Sequence, residues 1–159
     1  MIEWVSLLTA TAVVDFAVIV LSKFVSLTKA LNQWYRDFGV VAVASDILII
    51  VLGIALAKLL FPMATGWKLV GIAVAIQLIH DVLFYIGIIQ GVPAGQNKII
   101  DLFKTYAAQG GWQILLADAG MVTASVLLME WYSDTLTTDQ TAFIGLLTVY
   151  SLLYIVYTH

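Results

Sequence analysis

The sequence predicts an all-α fold, a polytopic membrane bundle of five transmembrane helices with one short interfacial helix. Two observations lead there. The 159 residues are 62% hydrophobic and only 11% charged, with a mean hydropathy of +1.03, whereas a soluble domain carries about 25% charged residues. Apolar runs of about 20 residues also recur along the whole chain, each long enough to cross a hydrocarbon core of about 30 Å as a helix. The spans predicted from these runs are 4–22, 38–60, 68–90, 112–130 and 141–158, forming one transmembrane domain over 1–159.

The first run begins at Glu3 and Trp4 without a basic leader or a small-residue cleavage site, so it is expected to remain as a span. All five tryptophans, Trp4, Trp34, Trp67, Trp112 and Trp131, fall at or beside span ends, where an indole settles at headgroup level. Turn chemistry separates the later spans: "FPMATGW", "GVPAGQN" and "SDTLTTD" supply Pro, Gly, Ser and Asp at the breaks. The third connection is the long one. There "NKIIDLFKTYAAQGG" sets Ile99, Ile100, Phe103, Tyr106 and Ala107 near helical spacing, the pattern of a short interfacial helix or of a connecting helix against the bundle end.

Gly53 with Ala57, Gly71 with Ala75, and Gly120 with Ala124 have the spacing that lets membrane helices approach closely. Tyr150, Tyr154 and Tyr157 form a stripe on the last span. This reads as a packing or subunit-facing edge and leaves a homo-oligomer open. The end with Lys23, Lys29, Arg36, Lys98 and Lys104 outweighs in basic residues the end with Lys58 and Lys68, which also holds Glu3, Glu130, Asp134 and Asp139. The positive-inside rule then sets the N-terminus outside and the C-terminus in the cytoplasm.

Chemistry enters through acids inside the spans: Asp15 in "VVDFAV", Asp46 in "ASDILI", Asp81 in "IHDVLF" and Asp118 in "LADAGM". Allowing for alternating helix direction, all four fall at roughly 0.55 to 0.65 of the depth, one layer near the midplane. Four acids there would cost on the order of 10 kcal/mol unless protonated, hydrated or paired. They are therefore expected to face inward. Thr11 precedes Asp15 by one turn, Ser45 adjoins Asp46, Gln77 and Tyr85 flank Asp81, and Ser125 lies two turns beyond Asp118. Lys23, Lys58 and Lys68 stand at span ends, where they snorkel to the interface. The compensating positive charge is then protons or a bound cation, with His80 as the internal basic side chain.

The leading expectation is cation, above all proton, binding or conduction through Asp15, Asp46, Asp81 and Asp118, shaped by His80, Gln77 and Tyr85. Two alternatives stand beside it: a structural or assembly protein of a cellular or viral membrane, and an intramembrane metal-dependent enzyme acting on lipid. No catalytic residue is assigned, and an enzyme is the less favoured class. The metal question stays open, because one histidine and several carboxylates suit hard cations but carry no ligand spacing. The lipid bilayer is the expected partner, and no nucleic-acid-binding pattern is present. With no cysteine, thiolate chemistry and disulfides are excluded.

The stretch "NKIIDLFKTYAAQGGWQILLADAGMV" resembles small multi-span membrane proteins encoded by large DNA viruses of algae and protists. The resemblance implies a viral membrane setting and brings no activity with it.

Overall fold

Lipid offers a peptide group no hydrogen bond, so a chain this apolar must satisfy its amides within helices. The computed structural model describes residues 2–24 and 29–158. Six α-helices follow in order: α1 (Trp4–Phe24), α2 (Lys29–Phe38), α3 (Val40–Leu60), α4 (Gly66–Phe84), α5 (Lys98–Thr135) and α6 (Thr138–Ile155). A π-helical turn, Tyr85–Ile89, prolongs α4 and makes a seventh helical element. Its signature is Gln90 N–H donating to the Tyr85 carbonyl five residues back at 3.0 Å.

Among the described residues four helices, not five, are long and apolar enough to cross a membrane: α1, α3, α4 with its π turn, and the Gly111–Thr135 part of α5. The expected fifth span corresponds to α6, which opens on Thr138, Asp139, Gln140 and Thr141 and interrupts its apolar run with Thr148, Tyr150, Ser151 and Tyr154. The separate interfacial helix is also corrected. Residues 98–110 continue without a break into the last span, giving one helix of 38 residues, about 57 Å long. Gly110 and Gly111 fall inside this helix, although each glycine costs a helix about 1 kcal/mol. Ile100 and Leu102 are nevertheless buried on the upstream segment, so packing holds the helix through the pair. The short amphipathic helix lies instead in the first connection, as α2.

Helices α1, α3, α4 and α5 form a closed four-membered arrangement in which each packs on its two neighbours, and α6 lies outside against α1. At one end Leu7, Ile54, Leu69, Ala73, Val126 and Met129 interlock. At the other, Ile19, Trp34, Tyr35, Ala42, Leu102 and Val156 do so, with α2 closing the bundle. Glu130 of α5 accepts Gly66 N–H at 2.9 and 3.0 Å, capping an α4 N-terminus whose own Thr65 makes no side-chain cap. Thr9 Oγ1 donates to the Thr141 carbonyl at 3.2 Å and Lys23 Nζ to that of Thr158. Helix α6 therefore runs alongside α1 from end to end.

Charge is divided between the two ends. Lys23, Arg36, Lys98 and Lys104 gather where α2 sits, and Glu3, Glu130, Asp134 and Asp139 gather at the other; the Lys29 side chain lies outside the described residues. Of the small-residue pairs, only Gly53 meets another helix, with Gln77 Oε1 at 3.8 Å from a Cβ placed there; Gly71 and Gly120 face open space. The close approaches occur elsewhere. A Cβ on Gly145 would lie 2.6 Å from Thr9 Oγ1, and one on Gly39 would lie 2.8 Å from the Tyr157 hydroxyl. The stripe tyrosines Tyr150, Tyr154 and Tyr157 are exposed.

Gly39 also has φ 51° and ψ −123°, where a side chain costs about 1–3 kcal/mol. Gly39→Ala is expected to lower thermal stability in detergent by at least that amount. Gly145→Ala should lower it by about 1–3 kcal/mol through overpacking on Thr9. Wild-type melting in both variants would contradict the close approaches of Gly145 to Thr9 and of Gly39 to Tyr157.

Candidate functional site

Helix α2 has one apolar face, Leu31, Trp34, Tyr35 and Phe38, and a polar face of Asn32, Gln33, Arg36 and Asp37, the spacing of a helix lying on a core. Arg36 and Asp37 pair in the open at 2.8 Å, while Trp34 and Tyr35 are each only 3% exposed. Gly39 turns the chain sharply into α3 and sets both aromatic side chains against Asp46, less than four turns further on.

Tyr35 Oη lies 3.0 Å from Asp46 Oδ2 and 3.1 Å from Asp15 Oδ1. One phenol thus joins carboxyls of two different helices. Trp34 Nε1–H donates to Asp46 Oδ1 and Oδ2 at 3.2 and 3.1 Å. Asp15 has no exposed surface, and its Oδ2 is buried without a hydrogen-bond partner. A phenol has a single proton, so Tyr35 donates to one carboxyl at a time, and the second contact calls for a proton on the other acid. Burial, then the charges of Asp46 and Asp15, hold the Tyr35 phenol well above its ordinary range.

The second group lies on α4. Gln77 Nε2 donates to Asp81 Oδ1 at 2.8 Å, and His80 Nδ1 lies 3.2 Å from the same oxygen. Asp81 Oδ2 is buried without a partner. The His80 side chain is 42% exposed and lines an apolar groove of about 460 Å³ with Leu56, Ile76, Leu83 and Phe84. An aromatic series joins the groups: Trp34 to Phe103 at 5.0 Å, Phe103 edge-on to Phe84 at 6.1 Å, and Phe84 stacked on His80 at 5.7 Å between ring centroids.

The four acids therefore do not form a single cluster. Asp15 and Asp46 share Tyr35, Asp81 belongs with Gln77 and His80, and Asp118 is related to Asp81 and Asp46 through charge. Measured from the Gly66–Glu130 contact, Asp81 lies roughly 22 Å along α4 and Asp118 roughly 18 Å along α5, so their heights are similar. Among the described residues, no group of three or more His, Asp or Glu side chains converges as a metal site. Tyr85 opens the π turn and lines a separate small cavity with Gln90 and Lys104.

Trp34 and Tyr35 were absent from the sequence-derived site. Trp34 had been placed with the interfacial tryptophans; Trp4, Trp67, Trp112 and Trp131 are indeed exposed, but Trp34 is buried. The signal available was the spacing of 31, 34, 35 and 38 inside an otherwise polar connection.

Apolar helices of spanning length and this bundle define a polytopic integral membrane protein. No family model, curated protein or solved structure matches the chain.

Two outcomes test the site. Tyr35→Phe should destabilise the fold by about 1–3 kcal/mol, because it withdraws the phenol from the buried Asp15 and the part-buried Asp46; thermal melting checks this. In alkaline solution the unfolded phenol ionises near its usual value of about 10, below the raised folded-state value. The stability due to Tyr35 is thus complete below that pH and falls as pH rises above it. Phenolate absorbance should show the same number of tyrosines titrating near pH 10 in wild type and Tyr35→Phe while the fold persists. One fewer in the variant would place Tyr35 in contact with solvent.

Proposed function

We propose that this membrane protein binds and relays protons through the acids of its four spanning helices. The observation that carries this reading is one buried phenol within hydrogen-bond reach of two carboxyls on different helices. The arrangement that leaves neither contact without a hydrogen has Tyr35 donating to Asp46, which also receives Trp34, while Asp15 holds a proton and donates to Tyr35. Moving the Asp15 proton onto Tyr35 as the Tyr35 proton passes to Asp46 exchanges the roles of the two acids without moving a heavy atom far. Asp118, Asp81, Gln77 and His80 extend the set of titratable and polar groups toward α4 and α5. Among the described residues no lysine or arginine contacts these acids, which favours a mobile cation, and a proton is the one a carboxyl–phenol pair can hold. By the positive-inside rule, the end with Lys23, Arg36, Lys98 and Lys104 faces the cytoplasm and the N-terminal end of α1 faces outward.

A second reading rests on the same contact. Tyr35 and Trp34 tie α2 to α1 and α3, so the acids serve to fix helix position in a structural or assembly protein of a cellular or viral membrane.

Proton uptake into vesicles under an imposed potential separates the two. Wild-type protein should carry protons, while Asp46→Asn and Tyr35→Phe, reconstituted as folded protein, should fall toward the rate of protein-free vesicles. Absence of flux in the wild type, or full flux in both variants, would sink the relay and leave the structural reading.

A further inference from the structure

A cavity of about 220 Å³ opens between the end of α4 and the upstream part of α5, lined by Tyr85, Ile89, Gln90, Lys104, Ala107 and Ala108. Its position is informative. Ile89 is the last residue of the α4 span, and Gln90 is the first beyond it, so the cavity stands where hydrocarbon gives way to headgroups. Three of its lining residues, Lys104, Gln90 and Tyr85, have side chains that donate hydrogen bonds. Lys104 Nζ is anchored by the Val92 carbonyl, which uses one of its three N–H donors and leaves two.

Two features make room for a ligand. Ala107 and Ala108 put methyl groups where larger side chains would fill the space, and the π turn adds a residue to the helical circuit at Tyr85–Ile89, altering the register of Tyr85, Ile89 and Gln90 relative to the rest of α4. The surrounding charge is net positive. Lys23, Lys98 and Lys104 share this end with Asp101, which accepts Gly95 N–H at 3.1 Å, while Arg36 and Asp37 pair with each other.

We propose that this cavity binds the phosphate of an anionic membrane lipid, with Lys104 as its charged donor and Gln90 and Tyr85 as neutral donors. The apolar floor of Ile89, Ala107 and Ala108 lies toward the glycerol and upper acyl carbons, which distinguishes a lipid phosphate from one free in water. The assignment does not depend on the proton relay, because none of these residues belongs to the Asp15–Tyr35–Asp46 or Asp81–His80 groups.

Native mass spectrometry of the detergent-purified protein tests it, with phosphatidylglycerol, phosphatidylcholine and inorganic phosphate as separate probes. Phosphatidylglycerol should be retained in preference to phosphatidylcholine. Lys104→Gln, whose amide can keep the Val92 contact, should weaken retention about fivefold, the effect of one lysine near an anionic lipid. Lys98→Gln, exposed at the same end, should leave it unchanged. Should Lys104→Gln fail to elute as folded protein, Gln90→Leu carries the same expectation of weaker retention. Equal retention of the two lipids, equal losses for Lys98→Gln and Lys104→Gln, or Lys104-dependent binding of inorganic phosphate without lipid would each overturn the proposal.

Discussion

The hydroxyl of Tyr35 occupies a point where α1, α2 and α3 meet, and the arrangement around it follows from a constraint on Asp15. A carboxyl with no exposed surface has lost its water, and in a low-dielectric interior it must find another polar group or destabilise the helix that carries it. Neighbouring α1 residues do not answer that need. Thr11 and Ser22 turn their hydroxyls back to the Leu7 and Ile19 carbonyls of their own helix. The partner comes from α2, the one short amphipathic helix, and the same phenol reaches Asp46 on α3. Docking α2 thus depends on two polar contacts and on the burial of Trp34, while Gly39 supplies the sharp turn that makes the approach geometrically feasible.

Two polar groups result, and they differ in surroundings. The Asp15–Tyr35–Asp46 group is enclosed by α1, α2 and α3, whereas His80 stands on the rim of an apolar groove open toward the membrane. Phenylalanines, which carry no exchangeable proton, separate them along the aromatic series. The rings supply packing contact instead, from Trp34 through Phe103 to Phe84 beside His80.

Much of the helical layout was legible because hydropathy over about 20 residues is a strong signal. The ends of α1, α3 and α4 fell near the predicted boundaries. Two errors share a cause. In α6 the count of apolar residues outweighed the polar opening at Thr138–Thr141, and the polar residues of the 98–110 segment read as a separate interfacial helix where tertiary packing continues α5 unbroken. The intramembrane acids were visible because aspartate is rare in such segments, but their division into two groups was not. That division depends on Tyr35 and Trp34, which reach the acids from a neighbouring helix whose orientation no periodicity within α1 or α3 encodes. Ser125 illustrates the limit: it is fully buried with its hydroxyl unpartnered, and spacing alone only related it to Asp118.

The unbroken length of α5 has a mechanical consequence. At about 57 Å it exceeds a hydrocarbon core of about 30 Å by nearly half its length, and it is fastened near one end, where Glu130 grips the start of α4. Toward its far end Phe103 bears on Trp34. The helix is therefore a stiff strut between the acidic end of the bundle and the lid formed by α2. Its upstream end is seated as well, by the buried Ile100 and Leu102, so a bilayer that tilts the spanning helices meets one rigid element held at both ends of the bundle.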